Sequence, residues 1–600
     1  MHRLAGWLGH DGPATAIGAG PTLQRMLARC GIAPPAHTLI DNGLGLAASL
    51  SVAREDRLVA GLCGRPALAT GEPAQAQDLL RLWRQHGKDA ARHLHGNFSL
   101  AVLDLADDSV FLALDRVGIQ KLAFAAGPDG LVFASQADMV AAHPAVGTEL
   151  DHQGLFNFIY FFQVPAPGSI FRRVEKLLPG QWVQWRQGRL SRGFYWALRY
   201  RDEPRHDFPA QAERFRALLR EGVARARGDD HVSAFLSGGI DSSTVSGVLK
   251  ELTGQARTYS IGFDAGGFDE MEYARLAARR FGLDSREYYL RQADVLEAIP
   301  VIAEHYDEPF ANESAVPVYI CARLAAADGF KVMLAGDGGD EILGGNERYA
   351  KQKIFEAYHL LPAFLRKGLI EPLSRLPGLS ALPPVRKGRS YIRQANIPLP
   401  ERMESYNFIY RQPLHAMFTS DLLHGVDVNQ PAELLREVYH RADSQSVVNR
   451  MLHLDMKFTL ADNDLRKVCG MTEAAGIEVR FPLLDDALVD FSGEIPPDWK
   501  VRGQYLRWFF KKSLAGFLPD EIIGKSKHGF GLPFGLWARD YAPLRQRVED
   551  NFAAFKRRGI LQPAYLDQIR GEHMSGHATY FGRMVWQITI LEEWLAARGL

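Results

Sequence analysis

The chain alternates apolar and polar stretches in two different ways. Up to about residue 200 the apolar runs are short. Phe98 to Leu103, Val110 to Leu114 and Leu131 to Ala134 are separated by Asp, Gly and Pro turns, the pattern of β-strands. Asp107-Asp108 and Asp129-Gly130 suit hairpin turns. One stretch, Gln75 to His86, carries Leu79, Leu80 and Trp83 at helical spacing. Arg201 to His206 is charged, contains a proline and reads as a linker. From about residue 213 helices and strands alternate, which argues for a parallel sheet flanked by helices. Val232 to Leu236, Arg257 to Phe263 and Lys331 to Leu334 are its expected strands. Thr244 to Leu252, Phe268 to Phe281 and Val318 to Ala326 are expected helices, and 350 to 510 is helix-rich. The expected architecture is a two-domain α/β and α+β chain: a β-rich domain over 1–200, then a parallel-sheet α/β domain with extra helices over 213–600. No internal repeat stands out.

Composition narrows the class. Six hundred residues exceed one hydrophobic core. A hydrophobic content of 46% with 23% charged residues is ordinary for a globular protein. Lys+Arg and Asp+Glu both number 70, so no general electrostatic attraction to nucleic acid is expected. Cys30, Cys63, Cys321 and Cys469 are scattered without metal spacing and fit buried thiols in a reducing compartment. The first residues form no signal peptide, and no apolar run reaches membrane-spanning length. The expected location is cytoplasmic, with no membrane partner.

The chemistry concentrates in two turns. Ser237-Gly238-Gly239-Ile240-Asp241-Ser242-Ser243 joins an expected strand to an expected helix. Glycines let backbone approach a phosphate, and a helix start offers free N–H groups. Asp241 beside phosphate requires a cation between them, which implies Mg²⁺. No Lys-Ser/Thr follows, so this is not a Walker A loop. A simple Gly/Ser turn is the plain alternative. The second turn, Ala335-Gly336-Asp337-Gly338-Gly339-Asp340-Glu341, follows a strand, where open α/β sheets bind ligands. A solvated acidic turn is its plain alternative.

The first turn resembles the pyrophosphate loop of ATP pyrophosphatases, which cleave ATP between the α and β phosphates. Leu94-His95-Gly96-Asn97-Phe98, Asp115 to Leu122 and Phe133-Ala134-Ser135 resemble the glutamine-amidohydrolase half of asparagine synthetase. Glu478 to Asp485 matches that family's E-x-R-x-P-x-L-D, and Lys527-His528-Gly529-Phe530 its K-x-G-F. The resemblance implies an Ntn-hydrolase-like first domain and an ATP-pyrophosphatase second domain. It implies ATP held by Leu236, Ser237, Gly238, Gly239, Asp241, Ser242, Ser243, Ile261 and Gly336, with Ile261 against adenine. Asp241 and Asp340 would hold Mg²⁺, and Lys527 would steady developing phosphate charge. Glu478, Arg480 and Asp485 are expected to form one ion-pair network.

The departure is at the front. Working glutaminases of this family use an N-terminal cysteine whose own amine is the base. Here the second residue is His2, and none of the 12 methionines precedes a cysteine. Ala60-Gly61-Leu62-Cys63-Gly64-Arg65-Pro66 lies in the region where the family's Asn-Gly-Glu phrase is expected, and the phrase is missing. The glutaminase is therefore read as degenerate. Family branches without the cysteine include β-lactam synthetases and lasso-peptide cyclases. The first has a tyrosine where this chain has Asp337, so the second fits better, with Asp337 orienting or deprotonating an amine. A lasso cyclase adenylates an Asp or Glu side chain of a linear peptide and closes a macrolactam with the peptide's N-terminal amine. The partners implied are that precursor peptide, a leader-binding protein and a leader protease. An ammonia-dependent asparagine synthetase or other small-molecule amide ligase, and a non-catalytic ATP-binding scaffold, are the alternatives.

Overall fold

A computed structural model describes residues 3–9, 18–28, 37–41, 44–203, 207–264, 269–375, 383–525, 531–576 and 578–600. In the first half the strands pair antiparallel. They are β1 (Leu4–Gly9), β2 (His37–Asp41), β3 (Leu44–Ala48), β4 (Ser51–Glu55), β5 (Leu58–Leu68) and β6 (Leu94–Asp104), then β7 (Ser109–Leu114), β8 (Ala123–Gly127), β9 (Gly130–Ala134), β10 (Glu175–Lys176), β11 (Gln181–Arg186) and β12 (Arg189–Phe194). They form two six-stranded sheets, β10-β8-β9-β1-β3-β2 and β12-β11-β7-β6-β5-β4. The expected hairpins join β6 to β7 and β8 to β9.

Strand β6 shows how sequence sets the layers. Successive side chains of a strand point to opposite faces. Ala101 and Leu103 meet Leu4, Leu46, Leu112 and Phe133 between the two sheets. Phe98, Leu100 and Val102 face outward, onto Leu79 and Leu80 of the helix Ala76–His86. Both faces are covered, so the strand reads as an almost continuous apolar run rather than an alternating one.

The second half is built on five parallel strands, β13 (Val232–Phe235), β14 (Arg257–Phe263), β15 (Asp284–Leu290), β16 (Val332–Leu334) and β17 (Glu478–Arg480), in the order β15-β14-β13-β16-β17. The chain leaves β13 for β14 and β15 on one side, then returns to place β16 on the other. The crevice of such a sheet opens at this switch, beyond the carboxyl ends of β13 and β16. The helix after β13 runs Ile240–Thr253, four residues earlier than the apolar pattern predicts. Gly239, in extended backbone at its N-cap, lets the helix begin inside the loop. The helix Ala315–Ala327 likewise begins three residues early. The expected start of another at Phe268 lies outside the described residues, and the described helix is Met271–Phe281.

One apolar cluster runs from Trp7 and Met26 through Ile261 and Ile299 to Trp586 and Trp594, so the halves share a core. The helix Ala578–Arg598 stitches them: Gln587 Nε2 donates to Phe158 O (2.8 Å) and Ile159 O (3.1 Å), and Trp594 Nε1 to Tyr306 O (3.0 Å). A charged seam adds to this. Arg466 donates to Asp307 Oδ1 (2.8 Å) and Glu308 Oε2 (3.2 Å), and Glu308 also meets Lys176 of the first half (2.5 Å). The phrase Asp115 to Lys121 serves the same seam. Backbone N–H groups of residues 117 to 120 donate to the Asp115 carboxylate, and Lys121 Nζ donates across to Ala461 O (2.5 Å). No helix among the described residues is long and apolar enough to cross a membrane.

The expected single network at 478–485 separates into two. Arg480 holds Glu478 (2.7 Å) and Asp230 (2.7 Å), whereas Asp485 pairs with Arg225 (2.7 Å) and caps the helix Asp486–Glu494. The turn at Pro482 to Leu484 carries Asp485 away from the strand that holds Arg480.

Candidate active site

The loops after β13 and β16 face each other because their strands are neighbours. They approach so closely that a Cβ on Gly336 would lie 2.7 Å from Ser242 N. Gly238 has φ +71°, and a Cβ there would overlap the backbone of Tyr273 and Ala274. Only glycine adopts that conformation at so tight a contact without strain. The loop braces itself: Ser237 N donates to Ser242 Oγ (3.2 Å), the two hydroxyls lie 3.0 Å apart, and Gly239 N donates to Ser237 Oγ (3.3 Å). The helix that follows points its N-terminus into the crevice, a ready anion site.

The crevice is a cleft of about 1440 Å³. Leu236, Ser237, Gly239, Asp241, Ser242, Ile261, Gly336, Asp337 and Asp340 all line it. Gly238 and Ser243 do not. Gly238 packs behind the loop, and Ser243 is fully buried in the helix. Lys527 lies outside the described residues.

Asp241 and Asp340 are brought together by a residue that the motifs did not single out. Arg507 places one guanidinium nitrogen against both, at 2.8 Å from Asp241 Oδ2 and in contact with Asp340 Oδ1. Its backbone is left-handed, φ +53°, an uncommon conformation for a branchless long side chain and one that clusters at functional sites. Gly345 makes the room, since a Cβ there would overlap both the Asp340 carboxylate and Arg507. Burial raises the Asp241 pKa, and Arg507 opposes that only in part. Among the described residues Oδ1 of Asp241 is buried without a hydrogen-bond partner, beside Gly339, where a Cβ would overlap it. Two buried carboxylates, one oxygen unsatisfied, and glycines clearing the space around them fit a hard, oxygen-seeking cation such as Mg²⁺.

Asp337 sits in a different field. Burial raises its carboxyl to about 6, Lys467 at 3.9 Å works against the rise, and Asp464 and Asp241 add to it. Lys467 also pairs with Asp464 at 2.8 Å. Burial alone would lower the Lys467 pKa, but the two carboxylates outweigh it and raise it. Glu341, on the same wall, is held well above the carboxylate range by burial and by Asp464 and Asp455. A carboxyl near 6 that still ionises at neutral pH is suited to proton transfer. Lys525 closes another side, 3.0 Å from Glu270 and 4.3 Å over the Tyr273 ring. Arg507 lies in an aromatic stretch with no phosphate-type pattern, so only the fold reveals it.

A glycine-rich loop at a helix start, an acidic pair fit for a cation and a raised carboxyl thus share one cleft, and the family matched by the chain makes it an ATP-dependent carbon–nitrogen ligase. Residues 214–596 match the family model Asparagine synthase, and residues 73–196 match Glutamine amidotransferase domain. The chain belongs to the asparagine synthase family. Asparagine synthetase [glutamine-hydrolyzing] 1 of Bacillus subtilis is 25% identical over 520 residues, covering 86% of this chain and 80% of its own. A putative asparagine synthetase of Mycobacterium tuberculosis is 27% identical over 531 residues, 86% of this chain and 79% of its own. An amidase of Gibberella zeae, chry2, is 22% identical over 519 residues, 79% and 74% of the two chains.

Proposed function

We propose that this ligase closes a macrolactam in a peptide, as a lasso-peptide cyclase does. It adenylates an Asp or Glu side-chain carboxylate and joins it to the same peptide's N-terminal amine, releasing AMP and pyrophosphate. The observation that carries this reading is what the first half does with strand β5, which spans the region where the family's missing glutamine-binding phrase is expected. Cys63 on β5 is fully buried, donates to Arg3 O (2.6 Å) and has its thiol pKa raised by burial. A buried thiol kept protonated is not a nucleophile. Arg65, two residues on, turns to Glu478 (3.4 Å) and Asp230 (4.0 Å) of the other half. The strand has become an inter-half strut, which fits a nitrogen source other than glutamine.

The division of labour follows from the cleft. Ser237, Gly239 and Ser242 with the helix N-terminus would take the phosphates, and Leu236 and Ile261 the base. Asp241 and Asp340 would hold Mg²⁺, which supplies positive charge to the β and γ phosphates of ATP. Arg507 would meet the same charge once the carboxylates turn to the metal. Lys527 would steady the α-phosphate. Asp337 would take the proton of the attacking amine, with Lys467 keeping it ionised. The cleft volume of about 1440 Å³ exceeds the roughly 300–1,000 Å³ of ordinary small-molecule sites, which suits a nucleotide and a peptide held together. Holding both ends of one chain in reacting geometry is an entropy problem solved by positioning. The peptide, a leader-binding protein and a leader protease are the partners proposed, in a cytoplasmic setting.

A second reading, favoured by the names of the relatives in Bacillus and Mycobacterium, is asparagine synthesis from aspartate and ammonia. A β-lactam-synthetase-like ligase is a variant of it. Incubation with ATP and Mg²⁺, offering either aspartate with ammonia or a linear peptide with an internal Asp or Glu, separates them. Water loss from the peptide with AMP release supports the cyclase. Asparagine formation at a comparable rate, with the peptide unchanged, refutes it.

A further inference from the structure

Part of the cleft wall comes from the first half. The helix His152–Phe161 ends at Phe162, which has φ +65° and whose carbonyl accepts the N–H of Ala311 (2.9 Å). Gln163 then pairs with Phe310 as an isolated bridge. This stitch brings Phe161 and Phe162 beside the loop Ala311 to Ser314, and all six residues line the cleft. Arg583 lies over the Phe162 ring at 5.1 Å, with Trp586 one turn further along the same helix.

Glu313 stands in the middle of this wall. Its neighbours are pinned: Asn312 Nδ2 donates to Asn463 Oδ1 (2.7 Å), and Ser314 N donates to Asn312 Oδ1 (2.9 Å). The Glu313 carboxylate makes no hydrogen bond or ion pair among the described residues. Desolvation raises its carboxyl to about 7, and the charge of Arg583 works against the rise. A half-buried carboxylate left without a donor costs stability, and a ligand carrying N–H donors and positive charge would recover that cost.

We propose that this wall, shared by the two halves, is the acceptor-amine site: Glu313 binds the incoming primary amine as its ammonium, and Phe161 and Phe162 flank the apolar part of the residue that bears it. The first half is then retained because it completes the synthetase site. The assignment rests on the amide-forming reading above. It does not depend on whether the amine belongs to a peptide.

Benzylamine is a suitable probe, a primary ammonium on an apolar ring, and benzyl alcohol is its uncharged counterpart. Titration calorimetry on the full chain, loaded with a non-hydrolysable ATP analogue, should show benzylamine binding at least tenfold tighter than benzyl alcohol. E313Q should weaken benzylamine at least tenfold while leaving benzyl alcohol and the ATP analogue unchanged, which also reports that the variant is folded. No preference for the amine in the unsubstituted protein, or equal benzylamine affinity in E313Q, overturns the proposal. The comparison of the two probes on the unsubstituted chain stands even if E313Q does not fold. Failure of the cyclase reading looks different: benzylamine would still bind through Glu313, but no peptide would lose water.

Discussion

At the scale of single residues the cleft works through carboxyls in contrasting fields. Asp241 shares a guanidinium with Asp340, whereas Asp337 faces Lys467 at 3.9 Å and the like charges of Asp464 and Asp241. D241N is expected to abolish ATP–pyrophosphate exchange while the protein stays folded, since the amide still fits beside Gly339. Circular dichroism and exchange assays check the two parts. For Asp337 the sign is fixed by its raised pKa. The folded carboxyl titrates near 6, above its unfolded value, so its stabilising contribution is complete below about pH 4 and lost as pH rises through 6. D337N is therefore expected to raise thermal stability at pH 7.5, by an amount on the order of 1–2 kcal/mol. It should also remove the rise in amide-forming rate between pH 5 and 7. A D337N protein with unchanged rate and pH profile would exclude Asp337 from proton transfer.

At the scale of elements, the two cleft loops illustrate what sequence reveals and what it hides. The order Ser237-Gly-Gly-x-Asp-Ser-Ser was readable as a phosphate turn because each residue type answers to local geometry: glycine to a left-handed φ, serine to short-range hydrogen bonds. G238A should show this directly. Its Cβ would overlap the backbone at Ala274, so a loss of at least about 2 kcal/mol in stability is expected, together with weakened nucleotide binding. Denaturant unfolding and nucleotide titration measure both. Strands β13, β14 and β16 were legible to within one residue, since short apolar runs bounded by turns leave little freedom. Helix starts were not, because Gly239 and Ser314 begin helices from inside loops, where hydrophobic period carries no signal. Arg507 and Glu313 were hidden for a different reason. Their neighbours Asp241, Asp340 and Arg583 lie far away in sequence, and only the fold brings them together. The phrase Asp115 to Lys121 was legible as a family motif but not as a strut, because its carboxylate serves four backbone N–H groups rather than a substrate.

At the scale of the whole molecule the two halves share one apolar cluster and one charged seam, and the cleft draws on both. Arg466 is the keystone of that seam, neutralising Asp307 and Glu308. Its removal would leave buried carboxylates short of a partner, a change that costs about 3–5 kcal/mol. R466A is expected to lower the melting temperature while keeping a single calorimetric transition, because the halves unfold together. Two separated transitions would mean that the shared core does not couple them. The account depends most on the cleft activating a peptide carboxylate for attack by an amine of the same peptide. Its most direct test is a single incubation of the purified chain with ATP, Mg²⁺ and a linear peptide bearing a free N-terminus and an internal Asp or Glu, read by mass spectrometry and nucleotide analysis. The account predicts a peptide lighter by one water, with AMP and pyrophosphate formed in equal amount. ADP and phosphate as products, or AMP released with no change in any such peptide, would contradict it.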